Sequence, residues 1–343
     1  MKKSQFRETK GKNINDEKSE GLLGRKISDL SLKIQGTELG ALIRTLYREL
    51  EKAGISFKPK TYLSDEWGCP HGVPVIGIPF YLADPKLCKL ECRLTGIEAE
   101  NKAETMMYLR HEAGHAFNYA YRLYNTSTWR KTFGQFSRPY KEEYKPLPFD
   151  ARFVRHIPGW YGQKHPDDDF AETFAVWLTP GSEWREHYAH TLALVKLLYV
   201  ERAVARYGRR PPLVTDVKLD KPVQEMMMTL DTWYGSNKSD VRQPLKLHDI
   251  VNEDLRRLFP GTGRQTAAEF LKARRAELIR EVNFWTGMER HLLASLFDAI
   301  LLRVEELGLK VKPGKKTVQM AFAAAFLTTL AMNYQTRGQF IEG

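Results

Sequence analysis

The chain has 343 residues, of which 42% are hydrophobic and 28% charged. That is enough for one large domain, or a catalytic domain with a smaller appendage, and it excludes a disordered chain. No apolar run reaches about 18 residues, so neither a membrane-spanning helix nor a membrane partner is expected; Met320 to Met332 is too short and reads as a buried helix. The polar start at Lys2 and Lys3 is not a secretory signal. Three cysteines (Cys69, Cys88 and Cys92) make no disulfide framework, so a reducing, cytoplasmic setting is expected.

The net charge of +11 sits at the two ends. Residues 1–26 carry an excess of +4 and residues 256–343 an excess of +6, leaving +1 in the middle. Basic ends can recruit nucleic acid; surface charge for solubility is the plainer alternative.

In chain order, residues 1–26 form a polar basic tail without an aromatic cluster, expected to be disordered. Leu39, Leu42, Ile43, Leu46, Tyr47 and Leu50 then recur at three- and four-residue spacing, an amphipathic helix ending at Gly54. Two strand-like runs follow, 56–63 and 73–82. Pro74 and Pro79 mark the second as an edge strand, open to an added peptide strand. A helix is expected from about Glu98 to Tyr124, a proline-bearing loop from Asn125 to Pro166, and a helix from Asp167 to Leu178 stopped by Thr179-Pro180-Gly181. Beyond Trp184 the pattern is helical nearly throughout. The expected class is α+β, with a tail over 1–26, a core over 27–183 and a mainly helical region over 184–343.

Within the helix of 98–124 stands His111-Glu112-Ala113-Gly114-His115. Histidines four apart share a helix face, and two such imidazoles can clamp Zn²⁺ at about 2.0–2.1 Å each. Glu112 falls beside the metal, where a carboxylate can take a proton from a zinc-bound water. A catalytic zinc site needs a third protein ligand and an open position. The candidates lie in Asp167-Asp168-Asp169-Phe170-Ala171-Glu172, acids embedded in an apolar helical pattern. Asp168 and Glu172 share a face, so one could bind the metal while the other orients a ligating histidine; Asp169 is a further option.

These motifs resemble the gluzincin, thermolysin-like class of zinc metallopeptidases. Asp-Asp-Phe-Ala-Glu-Thr-Phe-Ala is also similar to a bacterial zinc-binding metallopeptidase family and to the anthrax lethal factor active site. The resemblance covers about residues 98–180. It implies a zincin-like catalytic domain, one zinc ion, peptide or protein substrates, Asp168 as ligand and Glu172 in support. The class has Glu where this chain has the shorter Asp168, so Glu172 as the ligand remains an alternative. The resembling enzymes place a Tyr or His against the oxyanion. Tyr161, seven residues before Asp168, is the first candidate here, followed by His165 and His156.

The expected activity is zinc-dependent hydrolysis of peptide bonds, with Glu112 as general base and Tyr161 or His165 as oxyanion donor. Two competing readings are a zinc-binding scaffold without turnover and a protease recruited to nucleic acid by its basic ends. Oligomeric state is not written in the sequence. Lesser signals are a second zinc site from Cys69, His71, Cys88 and Cys92, and a phosphate-binding turn at Pro260 to Arg264, where Thr266 is better read as a helix cap. Met226-Met227-Met228 is read as core, and the run Ala321–Ala325 as a close-packed helix or partner interface.

Overall fold

The computed structural model describes residues 21–95, 99–140, 144, 146–237, 247 and 249–340. Most of the expected tail, residues 1–20, lies outside the described residues. From Gly21 onward the chain is engaged: Leu22 and Leu23 pack on the core, and Lys26 bridges to Thr229.

Helix α1, Glu38–Lys52, begins where the Thr37 side chain accepts the Gly40 N–H and buries Leu39, Ile43, Leu46 and Leu50. Its end is followed by Gly54 in the left-handed region (φ 88°). Strands β1, Lys60–Ser64, and β2, Val75–Pro79, pair in parallel with Lys60 opposite Val75 and form the sheet. Both are shorter than the runs read from sequence. The open edge expected at β2 is closed, because the strand is buried along its length and both backbone groups of Gly77 bond Gly68, at 2.8 and 3.3 Å. Gly68 belongs to a turn whose return path no local pattern announces.

Helix α2, Pro85–Thr95, was not anticipated; Asp84 Oδ1 accepts the Lys86 N–H at its start. The metal-motif helix α3 is Lys102–Ala120, shorter than 98–124, because Asn101 and Glu104 form a reciprocal capping box at its start. Helix α4, Ser127–Phe133, falls inside the expected loop. Then come α5, Pro166–Leu178; α6, Trp184–His187; α7, Leu192–Tyr207; and α8, Leu230–Asn237. The C-terminal bundle consists of α9, Asn252–Leu258; α10, Ala267–Lys272; α11, Arg275–Thr286; α12, Arg290–Glu306; and α13, Lys316–Arg337. Among the described residues the molecule is mainly helical with one small sheet, which agrees with an α+β class, and no helix there is long and apolar enough to cross a membrane.

The larger hydrophobic cluster runs from Ile27 to Tyr234 and includes Tyr199, Val200 and Val204 of α7 and Leu230 of α8. Helices beyond residue 183 therefore complete the core that holds the metal-motif helix. A separate cluster, Val251 to Phe340, fills the C-terminal bundle. Helix α13 buries one face only: Ala323, Leu327 and Leu330 are covered, whereas Phe322 is exposed. Of the three methionines at 226–228, Met226 alone is core.

Three contacts set the frame around α3. It packs along α5. Arg110 bonds both carboxylate oxygens of Glu49 on α1, at 2.8 and 2.9 Å, with both side chains largely covered. The C-terminal bundle docks on the segment 155–160. Arg155 donates to the Phe284 carbonyl and stacks on Trp160, Phe284 and Trp285, and Arg290 pairs with Glu104. The backbones of Gly159 (φ 89°) and Gly287 (φ 70°) meet so closely that a Cβ on Gly159 would stand 2.8 Å from Gly287 Cα.

Burial pushes Glu91 on α2 from an ordinary 4.5 up to about 7, although Tyr234 donates to it at 2.8 Å. A carboxyl whose folded pKa is raised weakens the fold as pH climbs. The loss begins near pH 4.5 and is complete above about 7. Glu91→Gln is expected to gain ~1–3 kcal/mol at pH 8 and close to nothing at pH 4. Urea midpoints at the two pH values check this, and an equal gain at both would reject it.

Candidate metal centre

The centre is built where two helices cross. On α3, His111 and His115 stand one turn apart on the face turned to α5, with 2% and 8% of their surface exposed. On α5, His165 caps the N-terminus, Pro166 opens the first turn, and three aspartates follow. Acids in a first helical turn meet the positive end of the helix dipole, which offsets part of the cost of burying them. Gly114 lets the helices approach: a Cβ there would lie 2.8 Å from Ala171 Cα and 3.0 Å from Ala171 O.

Across this contact three ligand atoms converge. His111 Nε2 and His115 Nε2 are 3.1 Å apart. Asp168 Oδ1 lies 3.8 Å from the first and 3.5 Å from the second. Zinc–nitrogen bonds of about 2.0–2.1 Å at tetrahedral angles place ligand atoms roughly 3.3 Å apart, so the spacing suits a small divalent ion. Among the described residues this buried trio is the group able to hold a metal ion.

The surroundings orient the ligands. His111 Nδ1 donates to Glu172 Oε1 at 2.8 Å, and His115 Nδ1 donates to Asp167 Oδ2 at 2.9 Å. With each Nδ1 hydrogen held against a carboxylate, a divalent ion at the shared point would displace only the Nε2 protons. Glu172 is held in turn by the backbone N–H groups of His156 and Ile157, at 3.1 and 2.9 Å. Asp167 also accepts from Asn118, at 2.7 Å, and from the Tyr119 hydroxyl. Tyr140 donates to Asp168 Oδ2, the oxygen turned away from the histidines. Asp168 is therefore the acid whose oxygen joins the two Nε2 atoms in the group able to hold a metal ion, and Glu172 lies behind His111. Both oxygens of Glu172, the alternative ligand, are engaged by His111 and by the two backbone N–H groups.

The electrostatics favour a cation. Burial opposes charge on His111, yet its bonds to Asp168 and Glu172 outweigh this and hold it up at about 9. Burial likewise opposes charge on His115, and Asp167 and Asp168 lift it well above the ordinary range. Asp168 is held below the carboxylate range because the two histidines overcome its desolvation.

No family model, no curated protein and no solved structure matches this chain.

Glu112 is 6% exposed, and its Oε2 has no hydrogen-bond partner. Burial raises its pKa, while His115 and His111 act in the opposite direction. Tyr161 stands edge-on to His111, with ring centres 5.6 Å apart. Burial, reinforced by Asp168 and Glu112, keeps its phenol protonated far above ordinary pH, as a hydrogen-bond donor must be. His165 does not supply a free donor. Its Nδ1 accepts the Asp167 N–H at 3.1 Å and its Nε2 donates to Arg138 O at 2.8 Å, so it is a cap stacked on Tyr140. His156 is similarly committed, donating from Nε2 to Met107 O at 2.9 Å.

The lesser signals resolve differently. Cys69 Sγ donates to the Glu112 carbonyl, Cys88 Sγ to Tyr81 O, and His71 packs against Phe136, so the second zinc site is not assembled. Thr266 caps α10 in a capping box with Glu269, as read.

The sequence pattern assigns no role of their own to Asp167, Asn118, Tyr119, Tyr140 or Gly114. Tyr119 had a usable signal, being one further turn along the His111–His115 face. Three consecutive acids in an apolar helix also invited a role for each. Tyr140 had none, because its contact with Asp168 spans a loop.

Proposed function

We propose that this chain is a zinc-dependent peptide hydrolase with a zincin-like catalytic core, in which His111, His115 and Asp168 hold one zinc ion. The observation that carries this reading is the convergence of two Nε2 atoms and one Oδ1, each imidazole steadied at Nδ1 by its own carboxylate. A helix bearing both histidines and the adjacent glutamate, crossed by an acidic helix beside a small sheet, supports the architectural part.

Zinc held there would supply Lewis acidity and an acidified water. Glu112, with a buried and unpartnered oxygen, accepts the proton of the attacking water and returns it to the amine nitrogen as the C–N bond breaks. Tyr161 donates to the oxygen on which negative charge develops. Glu172 and Asp167 keep the two imidazoles in one tautomer and orientation.

Metal content by mass spectrometry tests the centre. The wild type is expected to carry about one zinc per chain, and His111→Ala and Asp168→Ala none. Glu172→Ala is expected to bind about 10–100-fold more weakly yet fill at saturating zinc. A wild type that takes up no zinc after reconstitution would remove the proposal.

A further inference from the structure

Lys164 differs from the other cations packed around the centre. Lys196 is paired with Asp169 at 2.6 Å, Arg110 with Glu49, and Arg290 with Glu104. Lys164 has no carboxylate partner among the described residues. Its Nζ lies between two tyrosine rings instead, 5.1 Å from the centre of Tyr140 and 5.2 Å from that of Tyr161. Both rings belong to the metal centre, since Tyr140 donates to Asp168 and Tyr161 stands edge-on to His111. The backbone under it is fixed as well: the Lys164 N–H bonds Tyr161 O at 3.0 Å, and the next residue caps α5.

An ammonium between two aromatic faces loses part of its water and gains only a weak electrostatic partner from the rings. Three of the nearby carboxylates are already engaged, and Glu112 forms no ion pair with Lys164. Asp168 faces the histidines, and Glu172 and Asp167 hold their Nδ1 atoms. Lys164 is thus a half-buried positive charge at the rim of the proposed catalytic centre that, among the described residues, has no counter-ion. A carboxylate arriving with the substrate would meet it there while the adjoining amide lies over the metal ligands.

We propose that Lys164 selects peptides carrying a carboxylate close to the scissile bond, on an acidic side chain or at the chain terminus. The inference rests on the peptide-hydrolase reading of the same centre.

The test gives zinc-loaded full-length protein a set of peptides in which Glu, Gln and Lys are scanned through the positions flanking the cleaved bond. Each peptide is made with a free and with an amidated C-terminus. The expected result is a kcat/KM for one carboxylate-bearing peptide about tenfold or more above its neutral counterpart. The advantage shrinks with added salt. It falls on Glu over Gln if a side chain is read, and on the free over the amidated end if the terminus is read. Lys164→Met should abolish the preference and Lys164→Glu reverse it toward Lys, both at wild-type zinc content. Binding of the same peptides to the Glu112→Gln protein should show the same preference without turnover. Equal cleavage of charged and neutral peptides, or a preference that survives Lys164→Met, overturns the assignment. Failure of the zinc-loaded wild type to cleave any peptide overturns the hydrolase reading, and this inference with it.

Discussion

Glu112→Gln is expected to keep wild-type zinc content and fold while losing about 10²–10⁴ in kcat, the usual contribution of a positioned general base. The substitution preserves shape and replaces one carboxylate oxygen by an amide, so its effect isolates proton transfer. The surroundings support that separation. No structural partner is lost at Oε2, and the Cys69 thiol, which bonds the backbone carbonyl of Glu112 and also interacts with its carboxylate, can keep the Gln amide oxygen as acceptor. His111 and His115 keep their own supports in Glu172 and Asp167. Steady-state kinetics alongside metal analysis checks the expectation. Full activity in a zinc-loaded variant would remove Glu112 from the mechanism, whereas lost zinc would give it a structural role instead.

Gly114→Ala is the second substitution expected to have a large effect, and it acts through packing. On an exposed helix, alanine for glycine gains about 1 kcal/mol. Here the added methyl would stand 2.8 Å from Ala171 Cα, 3.0 Å from Ala171 O and 3.1 Å from Phe174 Cβ. Two of these neighbours are backbone and cannot swing aside, so α3 and α5 must separate. The net result expected is a loss of about 1–3 kcal/mol, overpacking outweighing helix propensity. The separation falls beside Ala171, between Asp168 and Glu172, so zinc affinity should drop with stability. Chemical denaturation of the apo protein and zinc titration of the folded variant read the two effects separately. A variant at least as stable as wild type, with unchanged zinc affinity, would show that the helices have slack at this crossing.

The C-terminal bundle has a bearing on the same centre. It packs against the segment 155–160 through Arg155 and the Gly159–Gly287 contact, and that segment supplies the two N–H groups that hold Glu172. A path of direct contacts therefore runs from the bundle to His111. The fold gives the C-terminal region a mechanical connection to the site even though it contributes no ligand atom.

Much of the local structure could be read without coordinates. The period of Leu39, Ile43, Leu46 and Leu50 places α1, and the acidic run ending at Thr179 places α5. The spacing of His111 and His115 puts both rings on one face, since a helix returns to the same side every four residues. Boundaries were less legible. The metal-motif helix starts later than its apolar pattern suggests because Asn101 and Glu104 cap it, and α2 and α4 lie in polar and proline-bearing segments without a clear period.

What the sequence determined by itself is therefore the chemistry of single elements: a helix with two same-face imidazoles and a flanking glutamate, and a second helix rich in acids. Which acid joins the two histidines in the group able to hold a metal ion was decided by the crossing of α3 and α5. That crossing brings Asp168 Oδ1 to the two Nε2 atoms and sends Glu172 and Asp167 to the two Nδ1 atoms. The same holds for His165, whose ring is consumed in capping, and for Tyr140 and Lys164, which reach the centre from loops. The physical reason is range. Helical periodicity is set by backbone hydrogen bonds four residues apart, whereas the partner of a buried polar group is whatever the packed core places within about 3 Å of it.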